Sequence, residues 1–102
     1  MLVRIVKMQF KREFVPVFKQ TFEKYRNEIR QSQGCVKLEL LQDINHPEIF
    51  MTYSWWQDEK SLEAYRFSST FKEVWPLTKV GFAEKPQAWS LKQKDIVEPT
   101  IL

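Results

Sequence analysis

The stretch Met51–Lys60, which reads MTYSWWQDEK, places two tryptophans side by side. If this stretch is a β-strand, successive side chains point to opposite faces of the sheet, so Trp55 and Trp56 lie in different surroundings. Each face must then accept a large aromatic ring near the end of the strand. A sheet with one face in water would tolerate that poorly, so the pair predicts a sheet that is covered on both sides.

Length and composition are those of one globular domain. The chain has 102 residues, of which 43% are hydrophobic and 15% aromatic, with two glycines and five prolines. We expect a single domain over residues 1–102, with residues 95–102 as a C-terminal tail that docks on another surface. The single cysteine, Cys35, cannot form an internal disulfide, which fits a reducing compartment. Because no signal peptide or membrane span is recognisable, we expect a cytoplasmic protein that does not bind membranes.

The net charge of +3 does not favour a nucleic-acid partner. Basic and acidic residues alternate, most clearly over residues 19–30, whereas a face that binds DNA or RNA usually carries clustered basic residues. A solvated helix surface explains the pattern better, so we expect no nucleic acid partner.

Apolar periodicity predicts the helices and strands. Residues 2–10 are predicted as a strand with apolar side chains on both faces. Over residues 13–32 the apolar side chains recur at helical spacing, with Pro16 in the first turn and Gly34 after the end of the helix. Further strands are predicted at 35–42, with Val36, Leu38 and Leu40 facing one way, at 49–56 and at 87–94.

Two short helices are predicted between the last two strands. Asp58 is the predicted N-cap of the first. Thr70, three residues before Glu73, predicts a capping box at the start of the second. Pro76 lacks a backbone N–H, so we expect a break or kink there.

This order predicts an α+β fold, the ferredoxin-like βαββαβ arrangement with a four-stranded antiparallel sheet. The helices of such a fold cover one face of the sheet. The face with Trp55, Tyr53 and Met51 is wholly apolar or aromatic, which predicts contact with a second copy of the chain. The other face has aromatic residues at its two ends with small hydroxyl residues between them, a pattern that predicts the wall of a ligand pocket. Its members on the third strand are Phe50, Thr52, Ser54 and Trp56.

The run Tyr53–Arg66, followed by Ser68, by Phe71 with Lys72 and by Ala88–Ser90, resembles the antibiotic biosynthesis monooxygenase (ABM) domain. This family belongs to the dimeric α+β barrel superfamily. The resemblance implies a homodimer in which two sheets pack face to face, and a pocket in each subunit between the sheet and the helices. Its members include cofactor-independent oxygenases of quinols and aromatic polyketides, haem-degrading enzymes and proteins of no known activity.

At several positions this chain differs from the family pattern, and these differences narrow the functions that the resemblance implies. Many members carry a histidine where this chain has Tyr65, and often another where it has Thr70. The haem-degrading branch has a pocket tryptophan, which Trp56 matches. It also has a histidine ligand where this chain has Trp75, and an asparagine on the first strand, whereas the first asparagine here is Asn27. Because this histidine and this asparagine are missing, we expect that the chain does not bind haem.

The remaining candidates for chemistry are aromatic and polar groups near the predicted pocket. Trp56, Phe71 and Trp75 are predicted pocket walls, while Tyr65 and Arg66 are the catalytic candidates, as a hydrogen-bond donor and a charge that stabilises a phenolate. His46, the one histidine, lies in a predicted turn, and with one His and one Cys no metal site is expected. Two functions stay open: a cofactor-independent monooxygenase of a quinol or polycyclic aromatic, or a non-catalytic homodimer that binds a small aromatic ligand.

Overall fold

The computed structural model describes residues 1–101 and contains four strands and three α-helices. In chain order the elements are β1 (Leu2–Gln9), a 3-10 turn (Arg12–Phe14), α1 (Val15–Arg30), β2 (Cys35–Gln42), β3 (Ile49–Trp56), α2 (Glu59–Arg66), α3 (Ser69–Lys79) and β4 (Gln87–Lys92).

The sheet is antiparallel throughout, with strand order β2-β3-β1-β4. This is the predicted ferredoxin-like α+β topology. Trp56 pairs with Leu2 and Trp55 pairs with Val3 across β3 and β1. Because side chains alternate along each strand, one sheet face carries Trp56 and meets the helices, while the other carries Trp55 and has no helix over it.

The core on the helix side consists of two clusters. One joins Leu2, Cys35, Trp56 and Leu62. The other joins Met8, Phe10, Phe18 and Phe50, with stacked rings of Phe10 and Phe18 whose centroids are 4.2 Å apart. Trp56 and Phe10 are each only 1% exposed, so each cluster has one large aromatic at its centre.

Strand β2 differs from the prediction at its start. The register shifts between Cys35 and Lys37, so that Cys35 is buried in the core and Val36 is exposed. The prediction that Val36 shares a face with Leu38 and Leu40 is therefore wrong. A β-bulge adds one residue to the strand, and the extra residue reverses the alternation on one side of it.

Helix α3 begins near Thr70 as predicted, but the predicted capping residue is wrong, and the helix does not break at Pro76. Ser68, not Thr70, is the N-cap, and its Oγ accepts a hydrogen bond of 3.2 Å from the backbone N–H of Phe71. The helix continues through Pro76 to Lys79. Trp75 stacks on Phe71 before the proline, and Thr78 is buried after it, so packing holds the turns on both sides.

The turn before β2 needs a glycine. Helix α1 ends at Arg30, earlier than predicted, and Gly34 has a φ of +83°. A Cβ on Gly34 would lie 2.1 Å from the Oγ of Ser61 in α2, so both conformation and space exclude a side chain there. This close approach lets the start of α2 rest against the turn.

The tail, predicted to dock, does not dock on its own subunit in the described residues. Residues 95–101 lie outside the helices and strands, and Ile96, Val97 and Ile101 are exposed. Leu102 lies outside the described residues. Over residues 1–101 the helices are all too short or too polar to cross a bilayer.

Candidate functional site

A cavity of about 340 Å³ lies between the helix-covered face of the sheet and the helices. All four strands contribute to its floor through side chains that point to this face, among them Val6, Leu38, Thr52 and Ala88. Helix α1 contributes Phe18, Phe22 and Ile29, and α2 and α3 supply most of the remaining wall. The volume lies within the range of about 300–1,000 Å³ that is typical of small-molecule sites.

Trp56 is a buried member of the cavity wall, and a hydrogen bond fixes its indole ring. Its Nε1–H donates to Ser54 Oγ at 2.9 Å, and Ser54 Oγ in turn donates to the backbone carbonyl of Arg4 at 3.5 Å. The two side chains lie on one face because they are two residues apart in a strand. A buried indole N–H without an acceptor would be unfavourable, so Ser54 allows the tryptophan to be buried here.

A continuous series of aromatic rings continues from Trp56 along the helices. Trp56 stacks on Tyr65 with centroids 5.3 Å apart, and Tyr65 meets the edge of Phe71 at 5.4 Å. Phe71 then stacks on Trp75 at 5.6 Å and 12°. The faces and edges of these rings present an apolar aromatic surface on which an aromatic ligand can stack or pack edge to face.

The caps of α2 and α3 position these rings. Asp58 Oδ1 accepts a hydrogen bond of 2.8 Å from the N–H of Ser61, which starts α2. At the junction of the two helices, Ser68 Oγ donates to the carbonyl of Tyr65 at 2.6 Å and accepts from the N–H of Phe71. One hydroxyl group therefore links the end of the helix that carries Tyr65 to the start of the helix that carries Phe71.

Two guanidinium groups, Arg4 and Arg66, are the charged members of the cavity wall. Arg4 Nη1 donates to Ser90 Oγ on the neighbouring strand at 2.9 Å. Burial, and then the positive charge of Arg66, lower the pKa of Arg4 from its ordinary value. Arg66 is exposed and lies 3.8 Å from the carboxylate of Glu63 on the same helix. Within residues 1–101 no Asp or Glu lines the cavity.

Tyr65 is suited to donate a hydrogen bond rather than to act as a base. Burial raises its pKa to about 12, and Cys35 contributes in the same direction. The phenol is therefore protonated at neutral pH and can donate a hydrogen bond to a ligand oxygen. Cys35 is itself buried, and burial raises the pKa of its thiol, so it is not a reactive thiolate.

The residues predicted for the pocket fall mostly on its walls. Thr52, Ser54, Trp56, Tyr65, Arg66, Phe71 and Trp75 line the cavity. Phe50 does not line it: the residue is 2% exposed and packs in the second core cluster, against Phe18 at 5.2 Å. That these residues bind a ligand remains a prediction.

Arg4 is the functional candidate that the sequence reasoning missed. Arg4 is the charged residue in the apolar stretch LVRIV, and it lies on the same, helix-covered face of the sheet as Leu2 and Val6. Because side chains alternate between the two faces of a strand, the sequence alone could have predicted that Arg4 points towards the helices. Leu38 and Ala88 were missed as well, and nothing in their residue types marks them as more than strand positions.

The opposite face of the sheet carries the three residues predicted for a dimer contact. Met51, Tyr53 and Trp55 are half-buried in the single chain, and the rings of Tyr53 and Trp55 meet edge to face at 6.2 Å. Lys37 lies over both rings, with its Nζ 4.7 Å from the Trp55 centroid and 3.0 Å from the carboxylate of Glu39. Trp89 and Leu91 of β4 extend this apolar face and are 42% and 45% exposed.

The next feature is the placement of the side chains that could bind a metal ion in the described part of the chain. His46 lies in the turn between β2 and β3, where it is exposed and its Nδ1 is 3.9 Å from Glu48. Residues 1–101 contain no group of three or more His, Cys, Asp or Glu side chains that would hold a metal ion.

The fold and the aromatic cavity are those of a small α+β protein with a pocket in the size range of small-molecule sites. The chain belongs to the antibiotic biosynthesis monooxygenase family, whose model matches residues 1–75. Family membership supports a monooxygenase or small-molecule-binding role and leaves the substrate open. No curated protein sequence matches the chain.

Solved structures extend the likeness to nearly the whole chain. A conserved protein from Methanosarcina mazei Go1 is 28% identical with a TM-score of 0.87, over 92% of this chain and 94% of that one. An antibiotic biosynthesis monooxygenase is 19% identical with a TM-score of 0.88, over 93% and 100%. A Mycobacterium tuberculosis protein is 10% identical with a TM-score of 0.87, over 95% and 98%. At these identities, the last two show the fold alone.

Proposed function

We propose that this chain is a cofactor-independent monooxygenase that acts on a quinol or polycyclic aromatic small molecule, as a cytoplasmic homodimer. The observation that carries the proposal is the aromatic cavity in which a protonated Tyr65 and the cation Arg66 both line the wall. At about 340 Å³ the cavity is small for a ligand site, which favours a small quinol over an extended polycyclic system.

In the proposed reaction the protein binds the substrate ring against Trp56, Phe71 and Trp75, which also exclude water. Arg66 stabilises the phenolate form of the substrate and so lowers the pKa of its hydroxyl group. Tyr65 keeps its own proton and donates a hydrogen bond to the substrate oxygen. The phenolic proton passes to water at the open side of the cavity.

Molecular oxygen is then both the electron acceptor and the source of the inserted oxygen atom. The electron-rich phenolate gives electrons to O₂, and one oxygen atom forms a bond to a ring carbon that carried hydrogen. The other oxygen atom leaves as water, so a quinol plus O₂ gives a hydroxyquinone plus water, and a polycyclic phenol plus O₂ gives a quinone plus water. The substrate is oxidised and supplies all the electrons, so the reaction needs no separate reductant or cofactor.

The homodimer is proposed from the uncovered face of the sheet. Met51, Tyr53 and Trp55 form an apolar row there, and Trp89 and Leu91 extend it. Contiguous apolar patches of several hundred Å² are rare on monomers and mark association surfaces. Face-to-face packing of two such sheets would bury this row in both subunits, as the resemblance to dimeric α+β barrels implies.

A non-catalytic homodimer that binds a small aromatic ligand is the alternative. One observation favours it: within residues 1–101 the cavity wall contains no His, Asp, Glu or Cys side chain that would serve as a base. The proposed oxygenation then depends on Arg66 lowering the pKa of the substrate, whereas binding alone does not require this.

Oxygen uptake distinguishes these functions. Purified protein is mixed with a panel of hydroquinones and phenols, and O₂ consumption and product mass are followed. Ala88→Trp should fill the cavity from β4, while Ala64→Trp on the exposed side of α2 is the matched control. We expect uptake with the unmodified chain and with Ala64→Trp, and loss with Ala88→Trp. Binding without uptake would favour the alternative, and neither binding nor uptake would contradict both.

A further inference from the structure

The two arginines of the cavity wall, and the unused N–H donors of Arg4 in particular, determine which ligands the cavity can bind. Arg4 is half-buried in the middle of β1, on the face covered by helices, and one of its N–H groups is used by Ser90. A guanidinium group has five N–H donors, so donors remain for another partner. No ion pair to Arg4 within 4.0 Å is present in the described residues.

The side chains around Arg4 do not balance its charge. A partly buried cation is normally paired with a carboxylate, because burial removes water that would stabilise the charge. Here the nearby charge is a second cation, Arg66, and both that charge and burial lower the pKa of Arg4. An anion between the two guanidinium groups would remove this repulsion and accept charge-assisted hydrogen bonds from both.

The rest of the wall indicates how such an anion would be oriented. Trp56 and Phe18, which line the cavity from different parts of its wall, are both apolar and buried. Arg66 and Ala88 are exposed and mark the side on which the cavity opens. An aromatic body therefore fits inside, with an acidic group towards the opening and the arginines.

We propose that the cavity selects aromatic molecules that carry a carboxylate, and that Arg4, held by Ser90, recognises this carboxylate together with Arg66. The inference rests on the proposed function only in taking the cavity as the ligand site. It assigns a specificity-determining role to Arg4 and narrows the substrate class to aromatic acids. A carboxylate suits the site because its two oxygens match the paired N–H groups of a guanidinium.

A pair of probes that differ only in the carboxylate tests this: 1-hydroxy-2-naphthoate and 1-naphthol. Calorimetric titration of the full chain should show tighter binding of the naphthoate by about tenfold or more, which corresponds to about 1.4 kcal/mol. Arg4→Met keeps an apolar stem and removes the charge, so it should lower the affinity for the naphthoate far more than that for 1-naphthol and thereby abolish the preference. Arg66→Met should reduce the preference, and Ser90→Ala should reduce it less. Arg12→Met, at an exposed position outside the cavity, is the matched control and should change neither affinity.

The outcomes separate this inference from the proposed function. Equal affinity for the two probes, or a preference that survives both Arg4→Met and Arg66→Met in folded protein, would overturn the inference even if 1-naphthol is oxygenated. A preference for the naphthoate without oxygen uptake would support the inference and contradict the oxygenase. Absence of binding by either probe would overturn both.

Discussion

Replacing each of the adjacent tryptophans by alanine should damage the protein in different ways. Trp56→Ala removes a ring that is 1% exposed and stacked on Tyr65, and it removes the hydrogen bond to Ser54. Truncating a fully buried tryptophan costs about 3–5 kcal/mol of the free energy of unfolding. Because these contacts lie within one chain, the loss should not depend on protein concentration. Trp56→Phe is the milder variant if the alanine variant does not fold.

Trp55→Ala acts on the other face of the sheet. Within one chain the ring contacts Lys37 and Tyr53 and is half-buried, so the free energy of the isolated chain should change less than for Trp56→Ala. In the proposed dimer the same ring is an aromatic anchor, whose removal often costs more than about 2 kcal/mol of association free energy. The melting temperature should then depend more steeply on protein concentration.

Sedimentation and thermal unfolding over a range of protein concentrations measure both effects. We expect Trp55→Ala to dissociate at concentrations where the parent is a dimer of 12.4 kDa chains, and Trp56→Ala to stay dimeric while it is less stable. Identical behaviour of the two variants, or dissociation of Trp56→Ala alone, would refute the assignment of one face to the partner and the other to the cavity.

Further predictions concern the cavity and the dimer. Burial raises the pKa of Tyr65 from 10 to about 12, so its contribution to stability is complete below pH 10 and is lost as the pH rises through 12. Tyr65→Phe should remove about 2 kcal/mol of this alkaline loss in denaturant titrations, and an unchanged pH profile would contradict the burial of the phenol. Ser54→Ala should leave the Trp56 N–H without an acceptor and lower stability by about 1–3 kcal/mol in the same assay; no loss would show that the bond is unimportant. Tyr53→Lys should weaken the dimer in sedimentation, because an unpaired charge in a dry interface is unfavourable, and a dimer of parental affinity would place the contact elsewhere. Haemin should not bind tightly and should give no saturable Soret shift, since Trp75 cannot ligate iron, and a sharp shift at one haem per chain would contradict this.

The sequence predicted most of the fold because the decisive signals are local. Strand β3 was predicted with its observed bounds, since alternation over Ile49–Trp56 is regular and Asp58 provides an N-cap immediately after it. The bulge at the start of β2 could not be predicted, because no glycine or other marker distinguishes Val36 from a regular strand residue. The helix continues through Pro76 alongside ring contacts of Trp75 with Phe71 in the same helix and with Phe82 after it, and intrinsic helix propensity does not include such side-chain contacts.

The site was predictable by face but not by position along the strand. Phe50 and Trp56 share a face of β3, as alternation requires, yet Phe18 of α1 packs on Phe50 and closes that end. Periodicity specifies which side a residue faces, whereas the depth of a cavity depends on where the helices cross the sheet. The pairing of Arg4 with Ser90 depends on the register of β1 and β4, which brings together residues 86 positions apart.

A crystal structure of the chain soaked with a small hydroquinone tests most directly whether the cavity is the aromatic site. The account predicts the ring inside the cavity against Trp56, Phe71 and Trp75, with a hydroxyl oxygen within hydrogen-bond distance of the Tyr65 hydroxyl or the Arg66 guanidinium group. A ring bound on the opposite face, near Tyr53 and Trp55, with the cavity empty, would contradict it.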